Sequence, residues 1–144
     1  MQVIGFNFTK FLAERFQNFK SGKLVTNNIE FINLEKEKVE LIKDAEVVKL
    51  SFRYSLTYKS EENSPDKEAE IVFEGYMMLS LKGEEAKDLL KSWKKKELHP
   101  SFRVPVFNLL IKKCAARALS YEEELNLPTH IAIPQLTPGS KIKE

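Results

Sequence analysis

Residues 48–59 read VKLSFRYSLTYK and alternate without a break. Val48, Leu50, Phe52, Tyr54, Leu56 and Tyr58 are apolar or aromatic. Lys49, Ser51, Arg53, Ser55, Thr57 and Lys59 are polar or charged. A period of two belongs to a strand, because successive side chains leave the pleated backbone on opposite faces. A chain with such a segment must build a sheet with one apolar face and one wet face, and must cover the apolar one. At about 3.4 Å per residue the segment spans roughly 40 Å, longer than most strands.

A partner follows at once. The polar loop SEENSPDK (60–67) leads into EAEIVFEGYMMLSL (68–81), a hairpin signal. On the second strand Ile71, Phe73, Met77, Leu79 and Leu81 share one face with Gly75, which reads as a bulge or a close backbone approach. Glu70, Val72, Glu74, Tyr76, Met78 and Ser80 share the other face. Antiparallel pairing brings the two apolar faces together on one side. It sets Lys49, Arg53 and Lys59 near Glu68, Glu70 and Glu74, in ion pairs that fix register more than stability. Upstream, QVIGFNFTKFLAER (2–15) reads as strand through Val3, Phe6, Phe8 and Phe11, although Phe11 to Phe19 also falls at helical spacings. Ser21-Gly22 marks a turn. In KLVTNNIEFINLEKEKVELI (23–42), Ile29/Phe31 and Val39/Leu41 alternate like strand, while LEKEKVELI also fits a charged helical turn; Lys43-Asp44 reads as a break.

After Gly83 the period changes. EEAKDLLKSWKKK (84–96) places Ala86, Leu89, Leu90 and Trp93 on one helical stripe, with Glu84 and Glu85 at the positive end and lysines at the negative end. A second helix runs over about 102–125. Phe102, Val106, Leu109, Leu110 and Cys114 share a face, broadened by Val104, Phe107 and Ile111, and Pro105 sits in the first turn. The three prolines of NLPTHIAIPQLTP (126–138) make that segment extended. The expected architecture is α+β: a four-stranded antiparallel sheet with two main helices packed on one face, in one domain over 1–144 with a flexible tail at 135–144.

Several function classes drop out. Hydrophobic residues are 42% and charged residues 31% of the chain, enough apolar material for a core. The net charge of +2 gives no strong field for nucleic acid or anionic lipid. The single cysteine, Cys114, makes neither an internal disulfide nor a cysteine-based zinc cluster. The start of the chain lacks a signal-peptide pattern, and no window approaches the roughly 18 apolar residues of a membrane helix. A cytoplasmic location and no membrane insertion are the expectations.

Catalytic chemistry is equally sparse. His99 and His130 have no metal-ligand spacing and fit structural or surface roles. Cys114 lies on an apolar helix face without a base partner and reads as a small hydrophobe. Glu61-Glu62, Glu84-Glu85 and Glu122–Glu124 read as solvated charge in loops and at helix ends. Phosphate-loop, dinucleotide and nucleophile-elbow motifs are absent. These readings point away from an enzyme and from any cofactor or metal. The run KSWKKK (91–96) could hold phosphate and stack a base, but a helix end with an inward tryptophan explains it as well.

The late part of the chain resembles the SecB-type export chaperones. The resemblance is carried by the glycine-bounded strand end MLSLKG (78–83), the lead-in HPSFRVPVFNLL (99–110) to a long helix with a cysteine in its middle, and LNLPTHIAIP (125–134) after it. The family has a similar strand end, an FPYAR-type lead-in with a cysteine soon after, and an LNLAP-like segment. IGFNFTKFLAERF (4–16) matches the family's first strand more loosely. The resemblance implies a four-stranded antiparallel sheet with helices on one face and self-association as dimers and dimers of dimers. It also implies a non-enzymatic hold on unfolded chains in apolar grooves. Two features depart from the family. Lys49, Arg53 and Lys59 lie where the family is acidic toward its export ATPase, and QLTPGSKIKE (135–144) replaces its short last helix.

The leading expectation is therefore a SecB-like molecular chaperone, a homodimer or homotetramer that binds unfolded or nascent polypeptide, with export as one use. Its expected groove residues are Phe52, Tyr54, Tyr58, Tyr76, Met77, Met78 and Phe102, since flexible apolar side chains repack around varied sequences. Two alternatives remain. One is an oligomeric interaction or regulatory protein, including the toxin–antitoxin type. The other is a weak nucleic-acid binder using Lys94, Lys95, Lys96, Arg53 and Trp93, against which the small net charge argues.

Overall fold

The alternation at 48–59 is a central strand. A computed structural model of the chain describes residues 1–38, 45–134, 136 and 138–139. It contains β1 (Gln2–Arg15), β2 (Leu24–Glu37), β3 (Glu46–Lys59), β4 (Ala69–Leu81), α1 (Gly83–Trp93) and α2 (Pro100–Glu124). The strands form one antiparallel sheet in the order β1-β4-β3-β2. Both helices contribute to a single core on one face of it, as expected. The alternative of a helix over 11–19 does not occur, because β1 runs on to Arg15. In the second ambiguous segment β2 runs to Glu37, and Val39, Leu41 and the break at 43–44 lie outside the described residues. Most of the expected tail at 135–144 also lies outside them.

Register builds the two faces. Leu50 opposes Met77, Phe52 opposes Gly75, Tyr54 opposes Phe73 and Leu56 opposes Ile71. All eight are fully buried or glycine, and they form the floor of the core. The opposite face is wet and carries its own charge balance. Glu30, Arg53, Glu74 and Lys10 follow one another across β2, β3, β4 and β1. Arg53 Nε lies 3.9 Å from Glu74 Oε1, and Lys49 Nζ sits 4.4 Å above the Tyr76 ring. Alternating signs on adjacent strands leave this face with little net pull on a charged partner.

Because β1 and β2 are the two edges, residues 16–23 must cross the end of the β3–β4 hairpin. The crossing exposes backbone N–H groups that no strand can pair, and Glu68 satisfies them. Its Oε1 accepts from the N–H of Lys20 at 2.6 Å and of Ser21 at 3.2 Å and from Ser60 Oγ at 2.7 Å. Its Oε2 accepts from Ser60 N–H at 2.6 Å. Glu68 is thus a buried anchor rather than the wet-face partner that alternation assigned it. Gly22, with φ of +54°, completes the turn where an added Cβ would meet the Phe19 ring at 2.6 Å.

These hydrogen bonds, led by that from Ser60, hold the Glu68 carboxyl down at about 2, below its usual 4.5. A depressed acid stabilises the fold fully above its ordinary value and loses that contribution as pH falls toward 2. Thermal melts from pH 7 to pH 2 should therefore show a steeper acid decline for the parent than for Glu68→Gln. Equal slopes would place this carboxylate in solvent.

On α2 the buried residues step by four: Phe102, Val106, Leu110, Cys114, Ala118 and Glu122. This stripe is narrower than expected. Val104 and Ile111, assigned to the core from spacing, are 63% and 45% exposed on the outer side. The helix starts at Pro100, capped by His99, whose Nδ1 accepts from Ser101 N–H. Pro105 therefore falls one turn inside the helix rather than in its first turn.

Candidate functional site

The seven residues expected to line one groove do not share a surface. Phe52, Tyr54, Tyr58 and Met77 have no exposed area, and Phe102 keeps 5%. The reason is α2, which lies over β3 and β4. Phe73 stacks on Tyr54 at 5.9 Å, and α2 seals that layer with Tyr121, 5.7 Å from the Phe73 ring. Tyr76 and Met78 are half-buried on the wet face, on the other side of the sheet. The centre of the apolar face is thus roofed by the chain's own helices, and only its flanks stay open.

The nucleic-acid set is dispersed as well. Arg53 is on the wet face, Trp93 packs against the core, and Lys94–Lys96 follow α1 on the helical side. A cleft of about 420 Å³ at the junction of the two helices holds Lys91, Lys95 and Arg103 together with Asp88 and Glu97, a mixed set.

One buried polar network joins sheet, helix and the segment after α2. Tyr58 donates to Glu122 Oε2 at 2.5 Å, and His130 Nδ1 lies 2.7 Å from Glu122 Oε1. His130 Nε2 is 3.4 Å from the Tyr54 hydroxyl, which accepts from Asn27 Nδ2 at 3.3 Å. A proton on His130 Nδ1 gives Glu122 Oε1 a donor from the ring. The arrangement has the order of a nucleophile, base and acid relay, but it lacks access: Tyr54, Tyr58 and Glu122 have no exposed area. Burial pushes the Tyr54 hydroxyl up to about 12 and the Tyr58 hydroxyl higher still, the latter helped by its bond to Glu122. Burial likewise pushes the Cys114 thiol up to about 12. These groups are held protonated, the reverse of an activated nucleophile. Among the described residues no group of three or more His, Cys, Asp or Glu is placed to hold a metal ion.

One flank that stays open is the helical side of edge strand β1. Phe6, Phe8 and Phe11 form a row, with ring centroids 5.1 Å and then 4.9 Å apart. Phe52 supports the row from beneath, 5.3 Å from Phe6. Phe11 is 44% exposed. Two cations of α2 flank the row. Lys113 Nζ lies 5.9 Å from the Phe6 ring, and Arg117 Cζ lies 5.2 Å and 4.7 Å from Phe8 and Phe11. Sequence reasoning counted the three phenylalanines among the strand aromatics without singling them out. The signal it passed over is the pair Lys113 and Arg117, four residues apart on one helix face.

No family profile matches the sequence. No curated protein matches it. Among solved structures, the chain is similar to the Mycobacterium tuberculosis SecB-like chaperone Rv1957 in complex with a ChAD peptide from the Rv1956 HigA1 antitoxin. The identity is 15%, the match covers 94% of this chain and 90% of that one, and the TM-score is 0.49. Among the described residues no helix is long and apolar enough to cross a membrane.

Proposed function

We propose that this domain is a non-enzymatic, chaperone-type protein that holds unfolded or nascent polypeptide, working in the cytoplasm as a homodimer or homotetramer. The observation that carries the reading is the Phe6–Phe8–Phe11 row on an edge strand, beside a helix that leaves it partly open. An aromatic row of this kind offers large apolar contact at low ordering cost, which suits clients of varied sequence. Of the residues first expected to bind clients, Phe52 takes the role of support beneath the row. The sequence resemblance over 78–134 agrees with the reading. Export is one use of the held chain under this reading, and the balanced charge of the wet face gives no reason to prefer an export ATPase there.

The test is suppression of aggregation of a chemically unfolded client at stoichiometric ratio. The parent should suppress it. Phe11→Gln should lose most of that protection while its thermal midpoint stays near the parent's, because Phe11 is already half exposed. No suppression by the parent would end the reading. The rival reading is an interaction subunit whose apolar flanks are sealed in a permanent assembly. It has in its favour the complete burial of the apolar face of the central strands. It predicts no client protection and little uptake of an apolar dye by the native assembly.

A further inference from the structure

We propose that the channel between β1 and α2 selects extended segments in which acidic side chains alternate with, or are flanked by, apolar ones. This rests on the client-holding reading above and names the chemical class it prefers. The floor of the channel is aromatic and its rim is cationic. Lys113 and Arg117 are one helical turn apart, about 6 Å along the axis. Side chains two residues apart on one face of an extended segment are about 6.8 Å apart. An extended peptide therefore brings two same-side carboxylates to the two cations in step, while neighbouring apolar side chains rest on Phe6, Phe8 and Phe11.

Among the described residues nothing already fills that role. Among the described residues neither Lys113 nor Arg117 has a carboxylate within 4 Å. Glu14 of β1 and Glu70 and Glu74 of β4 belong to the wet face, across the sheet. Glu122, one turn beyond Ala118, is buried and engaged by Tyr58 and His130. Arg117 Cζ lies over the Phe8 and Phe11 rings, and among the described residues its N–H groups make no hydrogen bond, so they can serve a bidentate carboxylate. Among the described residues the outer backbone of β1 has no partner strand. Its stretch from Lys10 to Arg15 has no bulge to block pairing, so an extended segment can also bond there.

The test uses the full chain and three short fluorescent peptides that differ only at alternate positions between leucines: glutamate, glutamine or lysine. Fluorescence anisotropy at low salt should show the glutamate peptide binding about tenfold more tightly than the glutamine peptide, and the lysine peptide most weakly. Salt at about 0.5 M should erase the difference between glutamate and glutamine while leaving the apolar part. Arg117→Gln and Lys113→Gln should each lower the glutamate peptide's affinity toward the glutamine level. They should change the glutamine peptide's affinity far less than the glutamate peptide's. Equal binding of all three peptides by the parent would overturn this inference and leave the client-holding reading standing. Binding of none of them would overturn both.

Discussion

Gly75→Ala is expected to destabilise the protein by about 3 kcal/mol or more, with β1 the first element to detach. An added Cβ at this position would lie 2.2 Å from the Asn7 carbonyl oxygen and 3.0 Å from Phe8 Cα, both backbone atoms of β1. It would also lie 3.0 Å from Phe52 Cζ, whose ring fills the space that glycine leaves. A side chain could rotate away, but a paired backbone cannot. The alanine can be housed only by pushing β1 off β4 near the register shift between Phe8 and Lys10. At roughly 3 °C per kcal/mol for a chain of this size, the thermal midpoint should fall by about 10 °C. Amide exchange should quicken along β1 and stay slow along β2, which lies beyond β3 from Gly75. A midpoint within about 2 °C of the parent would mean that the strands approach less closely than described. Displacement of β1 also spreads the Phe6–Phe8–Phe11 row, so this variant should lose client protection together with stability.

The legible parts of the fold are those whose determinants are local. The β3–β4 hairpin is readable because its alternation, loop and partner lie within one stretch, and its faces divide as the period requires. The placement of β1 beside β4 is not readable in this way. It depends on the crossing at 16–23, and the anchor of that crossing, Glu68, looks in the sequence like any glutamate beside a polar loop. Alternation placed it on the wet face, yet four donors from the crossing and the hairpin draw it inward. The candidate site shows the same division. Period two correctly gathers Phe52, Tyr54 and Tyr58 on one face, but it does not say how far α2 roofs that face. Spacing alone also made the α2 stripe too broad, through Val104 and Ile111, which the structure leaves exposed. The network around Glu122 was hidden by composition, since a run of three glutamates at a helix end resembles solvated charge. The four-residue step from Phe102 through Ala118 reaches Glu122 next, and that continuation was the available signal.

Glu122→Ala carries the second large expectation: a loss of about 3 kcal/mol, roughly 10 °C in midpoint. The carboxylate has no exposed area and accepts from two groups that are themselves enclosed, Tyr58 and His130. Removing it leaves a hydroxyl and an imidazole N–H without acceptors where water has little access, and each such group costs far more than a bond lost at the surface. Glu122→Gln should cost about half as much, because its carbonyl oxygen still serves one donor while its amide meets the other. Tyr58→Phe added to Glu122→Ala should restore part of the loss, since the orphaned hydroxyl is gone; the double variant should fall short of the sum of the single effects. The damage should also be directional. Leu127 N–H donates to the Glu122 carbonyl, and Arg15 holds the carbonyls of Leu125 and Asn126. His130 is thus the outermost tie between the sheet and the segment beyond α2 on this side. Without Glu122, limited proteolysis should cut the chain after residue 127 sooner than in the parent, with α2 itself still protected. Additive losses together with an unchanged cleavage rate would show that Glu122 acts only as bulk within the core and that His130 is held by other contacts.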